Sequence, residues 1–129
     1  MPERPQDDRK ARRRRHEARG RRAETWAAWM LRLKGYRILD QRARTPAGEI
    51  DLVAARGRIL AFVEVKARTR RETALEAVTP ALRHRLERAA ALWAQKRRGM
   101  AALNWRFDIV MVTPGRWPEH LPDAWRAEM

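Results

Sequence analysis

Four charged residues lie in two short apolar segments of the 129-residue chain. Glu49 and Asp51 lie in the segment GEIDLVA, and Glu64 and Lys66 lie in the segment AFVEVKA. Because the side chains of a strand alternate between its two faces, residues two positions apart share a face. Each segment therefore presents one charged pair to one side of a sheet, and the two pairs together hold three carboxylates and one ammonium group.

The turn between the two segments decides whether these pairs meet. A two-residue turn at Arg56 and Gly57 pairs Glu49 with Glu64 and brings all four charged side chains to one face of a hairpin. A three-residue loop would send the side chains of one strand to the opposite face, because the side-chain period of a strand is two. We therefore predict a hairpin whose turn length brings the charged residues together.

Such a cluster needs a compensating charge, because opposed carboxylates destabilise a strand pair and buried carboxylates are costly when unpaired. Mg²⁺ is commonly bound by one or two carboxylates together with waters and phosphate oxygens. A Mg²⁺ or Mn²⁺ ion held by these acids would suit phosphodiester cleavage, with Lys66 orienting or deprotonating the attacking water. The alternative is a solvated face on which Glu64 and Lys66 form an ion pair worth about 0–1 kcal/mol. The apolar residues on both sides of Glu64 favour a covered strand.

The overall charge indicates the class of partner. The chain has 30 Lys and Arg residues against 16 Asp and Glu residues, which gives a formal net charge of +14. This excess favours a polyanionic partner, and nucleic acid is expected because no amphipathic basic helix or lipidation signal would hold the chain on a membrane. The charge alone does not distinguish RNA from DNA.

Composition excludes several other classes. Cysteine is absent, so a disulfide framework, a thiolate nucleophile and a cysteine zinc site are all excluded. The sequence has no apolar run of the length that a transmembrane helix or a secretory signal requires, and we expect a cytoplasmic protein.

Three regions follow from charge and periodicity. Residues 1–22 carry ten basic and four acidic residues without apolar periodicity, which predicts a disordered or loosely helical arm. Residues 23–113 carry the apolar patterns of a single domain, and residues 114–129 form a Pro-containing tail without regular structure. The arm could contact phosphates or simply keep the protein soluble. Its consecutive arginines are Arg12, Arg13, Arg14 and Arg15.

Helices and further strands complete the domain. The pattern predicts a helix over 23–34, a short strand over 36–39, the hairpin strands over 49–55 and 59–66, a long helix over 79–98 and a strand over 105–113. The apolar stripe of the first helix is predicted to be Trp26, Met30 and Leu33, with Ala27 beside them. The outer face of the long helix is basic through Arg83, Arg85 and Arg88, which are candidate nucleic-acid contacts.

The other aromatic and ionisable residues lack a chemical pattern. Six tryptophans are many for this length, and core packing explains most of them, Trp26 and Trp29 included, although one could stack on a base. The three histidines have no metal-ligand spacing, and we predict surface positions for them, including His120. Asp108 is either a polar partner within the sheet or a group near the acidic cluster.

The two charged segments resemble a known pattern. GEIDLVA followed by LAFVEVKAR is similar to the E-x-D and E-x-K core of the PD-(D/E)xK nuclease superfamily. From about Arg22 to Thr113 the chain more closely resembles the YraN-like bacterial proteins. This resemblance implies an α/β fold with a restriction-endonuclease-like mixed β-sheet flanked by helices, related to archaeal Holliday-junction resolvases. It also implies that Asp51, Glu64 and Lys66 occupy the catalytic positions.

The resemblance further implies a ligand set. Glu24 lies where resolvase-like members carry a helix glutamate that supplements the metal site, so the implied ligands of Mg²⁺ or Mn²⁺ are Asp51, Glu64 and Glu24. The chain departs from its relatives where they usually have a hydroxyl residue, an asparagine and a lysine, which affects substrate contacts more than metal binding. These departures are Ala67, Arg42 and Leu82.

Two functions are therefore expected from different classes. The first is a metal-dependent endonuclease that acts on structured or branched DNA, for which relatives acting on two-fold symmetric junctions imply a homodimer. The second is a non-catalytic DNA- or RNA-binding module that retains the nuclease fold and binds through its arginines.

Overall fold

A five-stranded mixed sheet forms the centre of the computed structural model, which describes residues 20–127. The strands follow chain order across the sheet, and all neighbours are antiparallel except the third and fourth, which are parallel. The strands are β1 (Arg37–Thr45), β2 (Gly48–Arg56), β3 (Ile59–Ala67), β4 (Asn104–Val112) and β5 (Glu119–Trp125). The arm predicted over residues 1–22 lies almost wholly outside the described residues, and so do its four consecutive arginines.

Three helices and one 3-10 turn connect or cover the strands. Helix α1 includes residues 20–33, α2 spans Arg71–Glu76, α3 spans Pro80–Gln95, and a 3-10 helix spans Met100–Ala102. Helix α3 begins after Thr79, whose hydroxyl accepts a hydrogen bond from the N–H of Leu82 at 3.2 Å. Helices α2 and α3 form the crossover that the parallel β3 and β4 require. No helix within residues 20–127 is long and apolar enough to cross a membrane.

Each face of the sheet is covered by one long helix. Helix α3 packs on one face, where Phe62 contacts the ring of Trp93 at 5.8 Å between centroids. Helix α1 packs on the other face, where Leu31 joins Leu52 and Val63 in a second buried cluster. The prediction of an α/β fold with a mixed sheet flanked by helices is confirmed, and the arrangement is consistent with a restriction-endonuclease-like fold.

Helix α1 buries a different stripe from the predicted one. Met30 is buried as expected, but Trp26 and Leu33 are 53% and 72% exposed, so the predicted stripe is wrong for these two residues. The buried stripe contains Ala27, which lies beside the predicted stripe, and Leu31. The small side chain of Ala27 allows the helix to lie close to the sheet. The periodicity of α1 fits two adjacent stripes, and side-chain size decides between them.

The hairpin turn lies one residue later than predicted. Arg56 pairs with Ile59, so the turn residues are Gly57 and Arg58, and Gly57 has the left-handed φ of 59° that such a turn favours. The predicted register of β2 against β3 is therefore displaced by two residues. Because the side-chain period is also two, this displacement alone preserves which residues of the two strands share a face.

Strand β5 was not predicted, and a buried aspartate explains how it is held. Asp108 of β4 is fully buried and accepts hydrogen bonds from the Arg106 guanidinium, from His120 Nε2 at 2.8 Å and from the backbone N–H of Asp123 at 2.9 Å. The last two donors belong to β5, so Asp108 fastens β5 to β4. The predicted surface position of His120 is wrong, since its side chain is only 3% exposed.

Replacement of Asp108 by Ala should destabilise the protein by about 3–5 kcal/mol, because Arg106 and His120 would lose their carboxylate partner. Burial alone would raise the pKa of Asp108, but hydrogen bonds from His120, Arg106 and the Asp123 N–H lower it on balance. A carboxyl group whose pKa is lower in the folded state than in the unfolded state stabilises the fold at pH values above the unfolded-state pKa. This stabilisation is lost as the pH falls through the folded-state pKa. The free energy of unfolding, measured with urea, should therefore differ greatly between the native chain and Asp108→Ala at neutral pH. This difference should become smaller in acid.

The matched control is Asp123→Asn, which removes only an exposed ion pair with Arg126 and keeps a residue that tolerates the φ of 53° at this position. It should change the unfolding free energy by less than about 1 kcal/mol. An equal loss in both variants would show that Asp108 does not hold β5 in this way.

Candidate metal centre

The pairing between β2 and β3 stops before either strand ends. Its last pair on one side is Leu52 with Val63, whereas β2 continues beyond this point beside β1 and β3 continues beside β4. We call this separation the fork. Asp51 precedes Leu52, and its carboxylate accepts a hydrogen bond from the backbone N–H of Val65 at 2.8 Å. The Asp51 side chain thus accepts a hydrogen bond from a backbone N–H of β3 that would otherwise pair with the backbone of β2.

The backbone of β1 and β2 is irregular beside the fork. Ile50 and Val53 both pack in the cluster under α3, although Leu52 between them packs under α1, so the alternation of β2 breaks near Asp51. In β1, Gln41 pairs with Leu52 and Ala43 pairs with Ile50. Arg42, which lies between them, has a left-handed φ of 51°. Irregular backbone of this kind re-aims side chains and is frequent beside functional sites.

A hollow of about 530 Å³ opens at the fork, between α1 and the ends of β2 and β3. We call it the acidic hollow. Its charged lining residues are Glu24, Asp51, Glu64, Lys66 and Arg68. The structure therefore brings together residues that lie as far apart in the chain as α1 and β3.

Glu49 does not join this group. Its carboxylate is exposed, and Oε1 lies 4.0 Å from Nε of Arg44. The prediction that all four charged side chains share one face is therefore wrong for Glu49. The reason is the broken alternation of β2, which separates Glu49 from Asp51.

The acidic hollow holds a buried carboxylate, Glu64, and a half-buried one, Asp51. Glu64 is 5% exposed, and its Oε1 lies 3.1 Å from Nζ of Lys66. Its Oε2 is buried and has no hydrogen-bond partner among residues 20–127. Burial and the charge of Glu64 raise the pKa of Asp51 to about 7, against the opposing effects of the Val65 N–H and Lys66. The cluster is therefore short of positive charge.

Glu24 has a partner of its own. Its Oε2 accepts a hydrogen bond from Nε of Arg42 at 2.6 Å, and this bond raises the pKa of Arg42. The pair leaves Glu24 less available to a cation than Asp51 or Glu64.

The donor set fits a hard divalent cation. Within residues 20–127 no three His, Cys, Asp or Glu side chains are already gathered as a metal-ligand group. Mg²⁺ does not need such a group, because it is commonly bound by one or two carboxylates with waters completing the shell. Asp51 and Glu64 would supply those carboxylates, and the unpaired Oε2 of Glu64 provides a lone oxygen for the ion. Glu24 would stand at the margin of the site.

The arginines of α3 do not line the acidic hollow, which lies between α1 and the ends of β2 and β3. Arg85 is half-buried and donates to the backbone oxygen of Glu49 at 3.4 Å, and the guanidinium of Arg83 lies 5.8 Å from the ring centre of Trp125. Arg88 lines a separate shallow hollow. The structure does not bring these candidate nucleic-acid contacts to the acidic cluster.

A sheet covered by α1 and α3, with an acidic cluster at a fork between two strands, defines an α/β protein of restriction-endonuclease-like arrangement. The chain belongs to the uncharacterised protein family UPF0102, whose family model matches residues 23–112. Relatives carry the same family name. A UPF0102 protein of Maricaulis maris is 55% identical over 113 residues, covering 88% of this chain and 89% of its own.

Two further relatives have similar coverage. A UPF0102 protein of Parvibaculum lavamentivorans is 57% identical over 107 residues, which cover 83% of this chain and 80% of the relative. A UPF0102 protein of Caulobacter vibrioides is 58% identical over 106 residues, covering 82% and 85%. The family match over residues 23–112 includes the fork and the charged residues of the acidic hollow.

Replacement of Asp51 by Asn should stabilise the protein in EDTA at about pH 8. The folded pKa of Asp51 is raised from 3.8 to about 7, so the folded state binds the proton more tightly than the unfolded state does. Protonated Asp51 stabilises the folded state, and this stabilisation is lost as the pH rises from the unfolded-state pKa to the folded-state pKa. Asn stays neutral at every pH and does not lose it. The gain should reach up to about 4 kcal/mol at pH 8 and vanish near pH 4.

Urea unfolding at both pH values measures this difference, and Glu49→Gln is the control because that carboxylate is exposed. A variant Asp51→Asn that is no more stable than the native chain at pH 8 would mean that Asp51 is not desolvated.

Proposed function

We propose that the protein is a Mg²⁺- or Mn²⁺-dependent endonuclease that cleaves structured or branched DNA. The observation that carries the proposal is the arrangement at the fork, where the half-buried Asp51 is held by the Val65 N–H and the buried Glu64 contacts the ammonium of Lys66. Their order in the chain also matches the pattern of the PD-(D/E)xK nuclease superfamily. The fold alone would support many functions, so the proposal depends on the site.

Asp51 and Glu64 would hold the ion, and Glu24 would supplement them. A bound divalent ion supplies Lewis-acid polarisation of a phosphate oxygen and a hydroxide nucleophile at neutral pH. The Val65 N–H fixes the orientation of the Asp51 carboxylate, which therefore needs no rearrangement when a cation arrives. Glu64 in turn fixes Lys66 through the 3.1 Å contact of their charged groups.

Lys66 would act on the substrate. Its ammonium lines the acidic hollow beside both carboxylates, where a phosphodiester group would lie. There it can donate a hydrogen bond to the attacking water or to a non-bridging phosphate oxygen, and its charge stabilises the negative charge that develops in the transition state. Arg68 in the same lining adds a second cation for the phosphate.

The substrate class rests on charge and on resemblance. The net charge of +14 favours binding to a nucleic acid, with an affinity that falls as the salt concentration rises. The preference for branched DNA, and a homodimer that would match a two-fold symmetric junction, come from the resemblance to Holliday-junction resolvases.

One observation favours the second candidate, a non-catalytic DNA- or RNA-binding module. Arg42 neutralises Glu24 at 2.6 Å, which removes one carboxylate from the implied ligand set. A module of this kind would bind nucleic acid in a salt-dependent manner without turnover.

Cleavage of labelled junction, flap and single-stranded DNA in Mg²⁺ or Mn²⁺ tests the proposal. Asp51→Ala, Glu64→Ala and Lys66→Ala should each lower the cleavage rate by at least about 100-fold, because the first two remove a proposed metal ligand and the third removes the cation at the phosphate. Glu49→Ala is the matched control: it removes a neighbouring carboxylate that lies outside the acidic hollow, and it should retain the native rate.

Two outcomes would contradict the proposal. Cleavage that survives in both Asp51→Ala and Glu64→Ala would come from a contaminating nuclease or from another centre. Binding of all three substrates without cleavage in either metal would favour the non-catalytic module.

Metal binding is separable from cleavage and can be measured by thermal unfolding. Mg²⁺ or Mn²⁺ should stabilise the native chain, by about 2.7 kcal/mol when the ion is at 100 times its dissociation constant. Glu64→Ala should abolish this gain, whereas Glu49→Ala should keep it. Equal stabilisation of the native chain and Glu64→Ala would place the ion elsewhere.

A further inference from the structure

Two exposed tryptophans lie next to each other near the acidic hollow. Trp26 of α1 and Trp117 of the loop before β5 are 53% and 59% exposed, and their rings meet edge to face with centroids 6.2 Å apart. The expectation that Trp26 and Trp29 pack in the core is therefore wrong. Large apolar groups left in contact with water mark surfaces that bind something.

The acidic hollow continues into the surface on which these tryptophans lie. It shares Ala23, Ala67, Arg68 and Thr69 with a second hollow of about 130 Å³. The second hollow shares Trp26, Val112 and Pro114 with a third of about 360 Å³, which Trp117 also lines. We call the second and third hollows the aromatic groove. It forms one continuous path from Trp117 to the acidic cluster.

The charge of the aromatic groove is complementary to a nucleic acid. Its charged lining residues are Arg22, Arg68 and Arg116, and within residues 20–127 neither hollow has an Asp or Glu in its lining. Cations beside aromatic rings are the combination with which proteins bind single strands, because the cations contact phosphates and the rings stack on bases. An apolar peptide would use the rings but would gain nothing from three arginines.

The exposed rings favour unpaired bases over a duplex. Within a duplex both faces of each base are stacked on neighbours, so a protein ring reaches a base face only where the strand is single or the base is turned out. Trp26 and Trp117 offer ring surface at a groove that ends at the acidic hollow.

We propose that the aromatic groove binds the unpaired nucleotides of a nucleic-acid strand. Bases stack on Trp26 and Trp117, and phosphates lie at Arg68 and Arg116. The groove thereby leads a single-stranded segment towards Asp51 and Glu64. This last step rests on the proposed endonuclease function, whereas strand binding in the groove does not.

Fluorescence anisotropy with the full 129-residue protein tests the inference. The probes are a single strand of about 16 nucleotides and a duplex of the same sequence, both in EDTA so that no cleavage interferes. Trp26→Ala and Trp117→Ala should each weaken single-strand binding by about 5- to 100-fold, because each loses a stacking surface. Duplex binding should change much less.

Trp29→Ala is the matched control. Trp29 lies in the same helix as Trp26 and is 56% exposed, but it lines neither hollow of the aromatic groove. Its loss should change single-strand binding by no more than about twofold. Trp26→Phe keeps a ring at the groove and should retain most of the affinity, which separates stacking from a general effect on folding. Arg116→Ala should lower the salt dependence of binding by about one phosphate contact.

Three results would overturn the inference. The first is native single-strand affinity in both Trp26→Ala and Trp117→Ala, and the second is an equal loss in Trp29→Ala. The third is a change of oligomeric state in Trp26→Ala, measured by sedimentation velocity, with unchanged strand binding, which would identify the groove as a contact between protein copies.

The endonuclease proposal and strand binding in the aromatic groove can fail independently of each other. A protein that never cleaves but loses strand binding in Trp26→Ala would keep the aromatic groove and lose the catalytic function. A protein that cleaves through Asp51 and Glu64, but binds strands equally well without either tryptophan, would keep the catalytic function and lose the groove.

Discussion

The hydrogen bond from the Val65 N–H to the Asp51 carboxylate is the interaction on which the site depends. A carboxylate takes the place of a strand there, so β2 and β3 separate without leaving that backbone donor unpaired. The separation creates the acidic hollow and gives Glu64 and Lys66 a cavity to line. If β2 and β3 stayed paired to their ends, the same residues would lie on a closed sheet with no room for a phosphate.

Two aspartates of this fold, one fully buried and one half-buried, have opposite pKa shifts. Asp108 is surrounded by donors from Arg106, His120 and the chain of β5, and its pKa is lowered despite complete burial. Asp51 has one backbone donor and two acidic neighbours, and its pKa is raised. The first arrangement stabilises a strand pair. The second sacrifices stability at neutral pH, which is characteristic of groups kept for chemistry or for a ligand.

Strand alternation correctly predicted that Asp51, Glu64 and Lys66 lie together, although the turn was predicted one residue too early. It failed for Glu49, because the irregular backbone near Asp51 and Arg42 leaves no mark in the apolar pattern. Strand β5 escaped prediction because Pro118 precedes it and Pro122 interrupts it, which an edge strand tolerates, and because polar contacts to Asp108 hold it. The elements that were predicted occur in the predicted order, but helix α2 and strand β5 were missed, and the sequence did not show that Asp108 holds β5.

The two-residue displacement of the hairpin register has a consequence for how this region can vary among relatives. Because the pairing of Arg56 with Ile59 decides which face the acids occupy, residues added to the loop at Gly57 and Arg58 leave the acids in place as long as that pairing is kept. A slip of one residue in the pairing would instead turn the apolar side chains of one strand to the other side of the sheet. The length of this loop is therefore free to vary in this family, whereas the register of the strands beside it is not.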